Sequence, residues 1–203
     1  MIPDTPYFSF ERTIIMQQFQ DKTETQISSE LIYDGKVVHL YVDQVRLPDG
    51  NPALREYVHH IGAVCVLPLD AEQNVLCVRQ YRYPFAKELI EIPAGKLDSR
   101  EEDHREAALR ELREETGATC KRLTYLGAYY GSPAILDECI DMYLAEDLTL
   151  GELSLDDDEF LDLVKIPLST MVDMVLAGEI PDGKTQVAVI RVNEMLRRRG
   201  DTV

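Results

Sequence analysis

The chain has 203 residues, enough for one substantial core and short for two full-sized domains. Its hydrophobic fraction of 45% and charged fraction of 29% are those of an ordinary globular protein, which excludes a fibre or a disordered chain. A formal net charge of −16 argues against a nucleic-acid partner or an anionic membrane, so an anionic substrate must meet a local island of arginine or a bound cation.

The amino terminus shows no basic region followed by an apolar stretch, and no apolar run approaches the ~18 residues of a membrane span. Secretion is therefore not signalled. Cys65, Cys77, Cys120 and Cys139 form no C-x-x-C pair, and three of them lie in apolar, strand-like runs. They read as reduced thiols of a cytoplasmic protein. His59 and His60 are adjacent and would face opposite sides of a strand, which argues against a shared zinc ion.

In chain order, residues 1 to about 22 are mixed in character and read as an arm. "TQISSELIYDGKVVHLYVDQVRLPDGNPALREYVHH" alternates polar and apolar residues around Asp34-Gly35 and Pro48-Asp49-Gly50, which predicts an antiparallel meander too thin to fold alone. "IGAVCVLPLDAEQNVLCVRQYRYPF" predicts a buried hairpin turning at Asp70 to Asn74. "LTYLGAYYGS", "CIDMYLAEDL" and "LDLVKIPL" are strand-like, with an acidic loop "GELSLDDDEF" before the last of them. Two helices follow, from about Ser169 to Ala177 and from about Lys184 to Arg199, each stopped by glycine. Irregular alternation of strands and helices makes the class α/β or α+β with a mixed sheet.

The segment "IPAGKLDSREEDHREAALRELREETGA" breaks local rules. Asp103 followed by Glu106 resembles a capping box and Gly117 is a usual stop, so a helix is predicted over Glu102 to Thr116. At roughly 100° per residue, Glu111, Glu114 and Glu115 face one way, beside an apolar stripe of Ala108, Leu109, Leu112 and Thr116. Like charges at this spacing repel, and anions in a last turn oppose the helix dipole. One explanation is a solvated face whose acids pair with Arg110 and Arg113. The other is a site for a hard divalent cation, which turns the repulsion into a ligand set.

These residues resemble the Nudix box, G-x5-E-x7-R-E-U-x-E-E-x-G-U with U aliphatic. Gly95, Glu102, Arg110, Glu111, Leu112, Glu114, Glu115 and Gly117 supply its fixed positions. Two departures are visible: six residues rather than five separate Gly95 from Glu102, and Ala118 is smaller than the usual aliphatic. The resemblance implies a mixed sheet sandwiched between helices and Mg²⁺-dependent hydrolysis of a nucleoside diphosphate linked to another group, with Mn²⁺ as a possible substitute. It implies metal ligation by Glu111, Glu115, Glu114 and the Ala94 carbonyl, a catalytic part for Glu114 and Glu115, and an orienting ion pair between Arg110 and Glu102.

"ELIEIPAGKLD" before the box and Pro133, sixteen residues after Gly117, are similar to the ADP-ribose and nucleotide-sugar pyrophosphatase branch. That branch commonly has Gly after this Pro, where this chain has "PAIL". "VRQYRYPF" fits the branch too, so Arg79 and Arg82, with Arg55 and Pro133, are the implied substrate-binding residues. Strict alternation puts Arg79 and Arg82 on opposite faces of a strand. The implied general base is Glu159 of the acidic loop, preferred to Glu138. The expected reaction releases AMP and ribose 5-phosphate from ADP-ribose, or cleaves a related nucleotide sugar. GDP-mannose, FAD or a dinucleoside polyphosphate are alternative substrates, and a catalytically silent Nudix-fold sensor is the alternative role. The expected organisation is a strand-rich extension over 1–55, exchanged between the subunits of a homodimer, and a hydrolase domain over 56–203.

Overall fold

The computed structural model describes residues 20–151 and 160–200, which fall into two units. The first holds an antiparallel sheet of β1 (Thr25–Asp34), β2 (His39–Arg46) and β3 (Pro52–His59), in the order β1-β2-β3. This is the meander the alternation predicts. Gly50, at φ +89, closes the β2–β3 turn with its N–H on the Leu47 carbonyl at 2.9 Å, a left-handed conformation that favours glycine. Ala134–Asp137 belongs to this unit: Val58 N–H donates to the Ile135 carbonyl at 2.8 Å, and His59 and His60 both meet Asp137. Every residue of β1 is exposed, including Ile27, Leu31, Ile32 and Tyr33.

The second unit begins with β4 (Ala63–Pro68), β5 (Asn74–Arg82), a short 3₁₀ turn at Tyr83–Phe85, β6 (Lys87–Glu91) and β7 (Ala94–Lys96). Helix α1 (His104–Thr116), β8 (Ala118–Tyr129), β9 (Ile140–Leu150), β10 (Leu161–Pro167), α2 (Leu168–Leu176) and α3 (Gly183–Arg199) complete it. One sheet is mixed, in the order β7-β4-β9-β8 with β4 parallel to β9; the other is antiparallel, β10-β5-β6.

The predicted β4–β5 hairpin is corrected. The two strands share a single bridge, Leu69 to Val75, and then enter different sheets. The physical reason is visible in β4, where all six residues are buried. A strand covered on both faces belongs in the middle of a layered sheet, with a parallel neighbour reached by a crossover. Val64 and Val66 pack on Ala107, Ala108 and Leu112 of α1, whereas Cys65 and Leu67 join the cluster of Val189 and Val192 of α3 and Met171 of α2. The sheet is thus held between α1 and the two last helices by simple strand alternation. Cys65 and Cys77 are buried, and all four cysteines are free.

Strands β6 and β7 escape the sequence reading because each is short and Pro93, which cannot donate to a ladder, separates them. Here the chain changes sheets, from β5's partner to β4's. That switch places Ala94 and Gly95 beside α1. The predicted start of α1 is also corrected: Glu102 precedes the helix, Asp103 is its N-cap, and the Asp103 carboxylate accepts the N–H groups of Arg105 and Glu106. Ala107 rather than Leu109 completes the buried stripe. No helix among the described residues is long and apolar enough to cross a membrane.

Candidate active site

Helix α1 ends at Gly117, whose left-handed conformation lets its N–H close on the Arg113 carbonyl at 2.8 Å. Its buried stripe is not wholly apolar. Glu111 is 5% exposed and Glu115 3% exposed, so these two carboxylates lie on the inward face, at the edge of the core made by Ala107, Ala108 and Leu112. Glu114 is more open, turned to the side. The expected alternative of a solvated acidic face does not describe Glu111 and Glu115.

Two residues of β7 meet these acids. Ala94 N–H donates to Glu115 Oε2 at 3.1 Å. Gly95 lies directly under Glu111: a Cβ at that position would stand 2.0 Å from Glu111 Oε1, so only glycine leaves room for the carboxylate. Arg110 supplies the countercharge. Its Nη1 donates to Glu111 at 2.6 Å and to Glu114 at 3.1 Å, its Nε to Glu102 at 3.2 Å, and its Nη2 to the Lys96 carbonyl at 3.1 Å. Burial works against the charge, but pairing with Glu102 and Glu111 outweighs it and raises the guanidinium pKa above the usual range. Glu102 also accepts the Asp98 N–H at 2.6 Å, which with Arg110 lowers its pKa.

The orienting pair of Arg110 with Glu102 therefore forms, with Glu102 outside the helix. Arg110 is also the partner that the solvated-face alternative names for Glu111 and Glu114. Among the described residues, no three His, Cys, Asp or Glu side chains are grouped as a ligand set.

Behind this corner lies a second charged layer that the sequence reading missed. Glu91, at the end of β6, is 1% exposed and accepts Arg82 Nε and Nη2, each at 2.7 Å, and Lys184 Nζ at 2.5 Å. Burial pushes the Glu91 carboxyl up, but the hydrogen bonds from Arg82 and the charge of Lys184 outweigh it and hold it at about 2. Lys184 also meets Asp182 at 2.9 Å; burial opposes its charge, yet Asp182 and Glu91 raise its pKa. One signal was available. Lys184 stands in the first turn of a helix, where the dipole disfavours a cation, so a buried anion was needed nearby.

Arg79 and Arg82 diverge as alternation requires. Arg82 turns inward to Glu91, whereas Arg79 is exposed and loosely paired with Glu88 and Asp162 at 3.3 and 3.4 Å. Arg55 lies in the first unit, paired with Glu24 at 2.8 Å, and Pro133 is exposed in the turn after β8. Glu138 is half-buried in the same connection, and Glu159 lies outside the described residues.

The NUDIX domain profile matches residues 58–185, spanning β4 to the start of α3 and the whole carboxylate corner. The chain belongs to the Nudix family. A second profile, the nucleoside diphosphate sugar hydrolase N-terminal domain, matches residues 24–58, the strands of the first unit. This Nudix chain is 43% identical to an ADP-ribose pyrophosphatase of Bacillus subtilis over 86% of its own length and 93% of the relative's. It is 42% identical to a protein of Bacillus methanolicus named methanol dehydrogenase activator, covering 89% and 98% of the two chains. A crystal structure of an ADP compounds hydrolase superposes with a TM-score of 0.78 over 92% of this chain and all of that one. At 22% identity that likeness shows the fold: a mixed α/β Nudix fold preceded by a three-stranded antiparallel sheet.

Proposed function

We propose that this Nudix hydrolase cleaves the diphosphate bond of ADP-ribose or a closely related nucleotide sugar, releasing AMP and ribose 5-phosphate from the former. The observation that carries the chemistry is the burial of Glu111 and Glu115 against the Ala94–Gly95 backbone. Two carboxylates are kept inside at an edge where a carbonyl and a third acid, Glu114, stand close by in sequence. The donors are all hard oxygens, the set that Mg²⁺ takes and Mn²⁺ accepts. The space that a Cβ at residue 95 would fill holds a carboxylate instead. The residues fit a divalent ion on these grounds, and Glu111, Glu114, Glu115 and the Ala94 carbonyl would hold it. When bound, such an ion neutralises diphosphate charge and makes a water acidic.

The protein's own groups divide the remaining work. Arg110 and Glu102 hold the carboxylates in place. Arg79, exposed and only loosely paired, exchanges its carboxylate partners for phosphate oxygens, for which a guanidinium is well shaped. Arg55, Arg82 and Pro133 are the further residues assigned to substrate binding. Glu159 serves as general base, taking the proton of the attacking water. The choice of ADP-ribose is supported by the Bacillus subtilis relative.

The extension over 1–55 joins two subunits into a homodimer, and 56–203 forms the hydrolase domain. Apolar side chains left exposed on β1 and β3 support this, Leu54 among them. Light scattering at micromolar concentration is expected to give the dimer mass. The four free thiols accord with a cytoplasmic protein. A second reading, in which the chain acts on another enzyme, draws on the relative named methanol dehydrogenase activator.

A panel of ADP-ribose, GDP-mannose, FAD and dinucleoside polyphosphates, with and without Mg²⁺ and followed by product chromatography, tests the hydrolase reading. Mg²⁺-dependent AMP from ADP-ribose supports the hydrolase. Turnover of no member would overturn it.

A further inference from the structure

Thr185 is fully buried in the first turn of α3, and its hydroxyl bonds in two directions. It accepts the Ile92 N–H at 2.9 Å and donates to Asp182 Oδ2 at 2.5 Å. Asp182 passes the connection to Lys184, Lys184 to Glu91, and Glu91 directly precedes Ile92. The contacts form a closed ring. With Arg82 on Glu91, the ring holds two carboxylates and two cations and is formally neutral, so it adds no net charge behind the acids of α1.

The ring closes where the chain changes sheets. Ile92 lies between β6 and β7, and its N–H is taken by Thr185 rather than by a strand. The Pro93 carbonyl accepts the Val66 N–H at 2.9 Å, and the Ala94 N–H donates to Glu115. Three successive residues are thus fixed from three different elements: α3, β4 and α1. Of these anchors, only the one on Ile92 is a side-chain hydroxyl, and its direction is set because its proton is committed to Asp182.

We propose that Thr185, oriented by Asp182 and Lys184, is a positioning residue that fixes the Ile92–Ala94 backbone so that Ala94 and Glu115 present their oxygens to one divalent ion. This rests on the divalent-ion reading given above. If the ring only stabilised the fold, its loss would lower the melting temperature and leave ion affinity unchanged.

The test is Mn²⁺ titration of the full-length protein, with free Mn²⁺ followed by EPR and folding checked by circular dichroism. Thr185→Val keeps the shape and loses the acceptor for Ile92; it is expected to bind Mn²⁺ about tenfold or more weakly while folded, as removal of outer partners of metal ligands does. Thr185→Ser, which keeps the oxygen, is expected to restore wild-type affinity. Wild-type affinity in folded Thr185→Val, or lost affinity in Thr185→Ser, overturns the proposal. Should Thr185→Val not fold, Asp182→Asn takes its place, since it keeps an acceptor for the helix cap and unlocks the hydroxyl; unchanged affinity there is equally fatal. A wild-type protein that binds no Mn²⁺, or Glu115→Gln binding as tightly as wild type, overturns the divalent-ion reading itself and this role with it. Normal Glu115-dependent binding with an indifferent Thr185 removes the positioning role alone.

Discussion

Replacing Glu91 by glutamine leaves Arg82 and Lys184 facing a neutral amide in a site that is 1% exposed. Three charge-assisted hydrogen bonds converge on that carboxylate, and they hold it at about 2 against an ordinary 4.5. At roughly 1.4 kcal/mol per tenfold change in proton affinity, that difference corresponds to about 3 kcal/mol of stability at neutral pH. The value agrees with the about 3–5 kcal/mol lost when one partner of a buried ion pair is removed. Because the folded pKa lies below the unfolded one, the contribution is complete above about 4.5 and disappears as pH falls towards about 2. Urea unfolding of the wild type and Glu91→Gln should therefore differ by about 3 kcal/mol at pH 7, and the gap should narrow through this acid window. Other carboxylates titrate there too, but they are shared by both proteins and cancel in the difference. A loss below about 1 kcal/mol at pH 7, or a gap independent of pH, would refute the assignment of Glu91 as the paired centre of the ring.

Glu115→Gln is expected to lose metal-dependent turnover while its circular dichroism stays native, whereas Glu159→Gln should lower kcat more than substrate affinity; wild-type rates in either would remove the assigned role. Gly95→Ala forces the Glu111 carboxylate out of its present place, so turnover at saturating Mg²⁺ should fall about a hundredfold. Asp103→Ala removes the side-chain acceptor for Arg105 and Glu106 N–H, and should cost about 1 kcal/mol in urea unfolding with little effect on turnover.

What could be read from the sequence was local. Helix α1 announces itself through a cap, a glycine stop and a charged stripe, all within a few residues, and its carboxylates were visible for the same reason. The β4–β5 hairpin was misread because a run of buried apolar residues states how deeply a strand lies and not which neighbour it takes. The Glu91–Lys184 pair spans 93 residues, beyond any local pattern. Its one local sign is Lys184 in the first turn of a helix, whereas Glu91 alone looks ordinary, as an acid in a strand. Arg79 and Arg82 were found together by motif, and only the strand's pleat and the neighbouring β6 separate an outward from an inward guanidinium.

Strand β1 closes one side of its sheet over ten residues, with isoleucine, leucine and tyrosine in the open. A straight ribbon of that kind invites stacking against any other extended chain, and a crowded cell supplies many. Two breaks in its alignment with β2, at Gln26/Ser28 and at Leu31/Tyr33, interrupt the ribbon before it can run flat for more than a few residues. Such kinks discourage endless growth while leaving short, shaped faces for selective recognition, so removing one residue to straighten the strand would favour precipitation over orderly pairing.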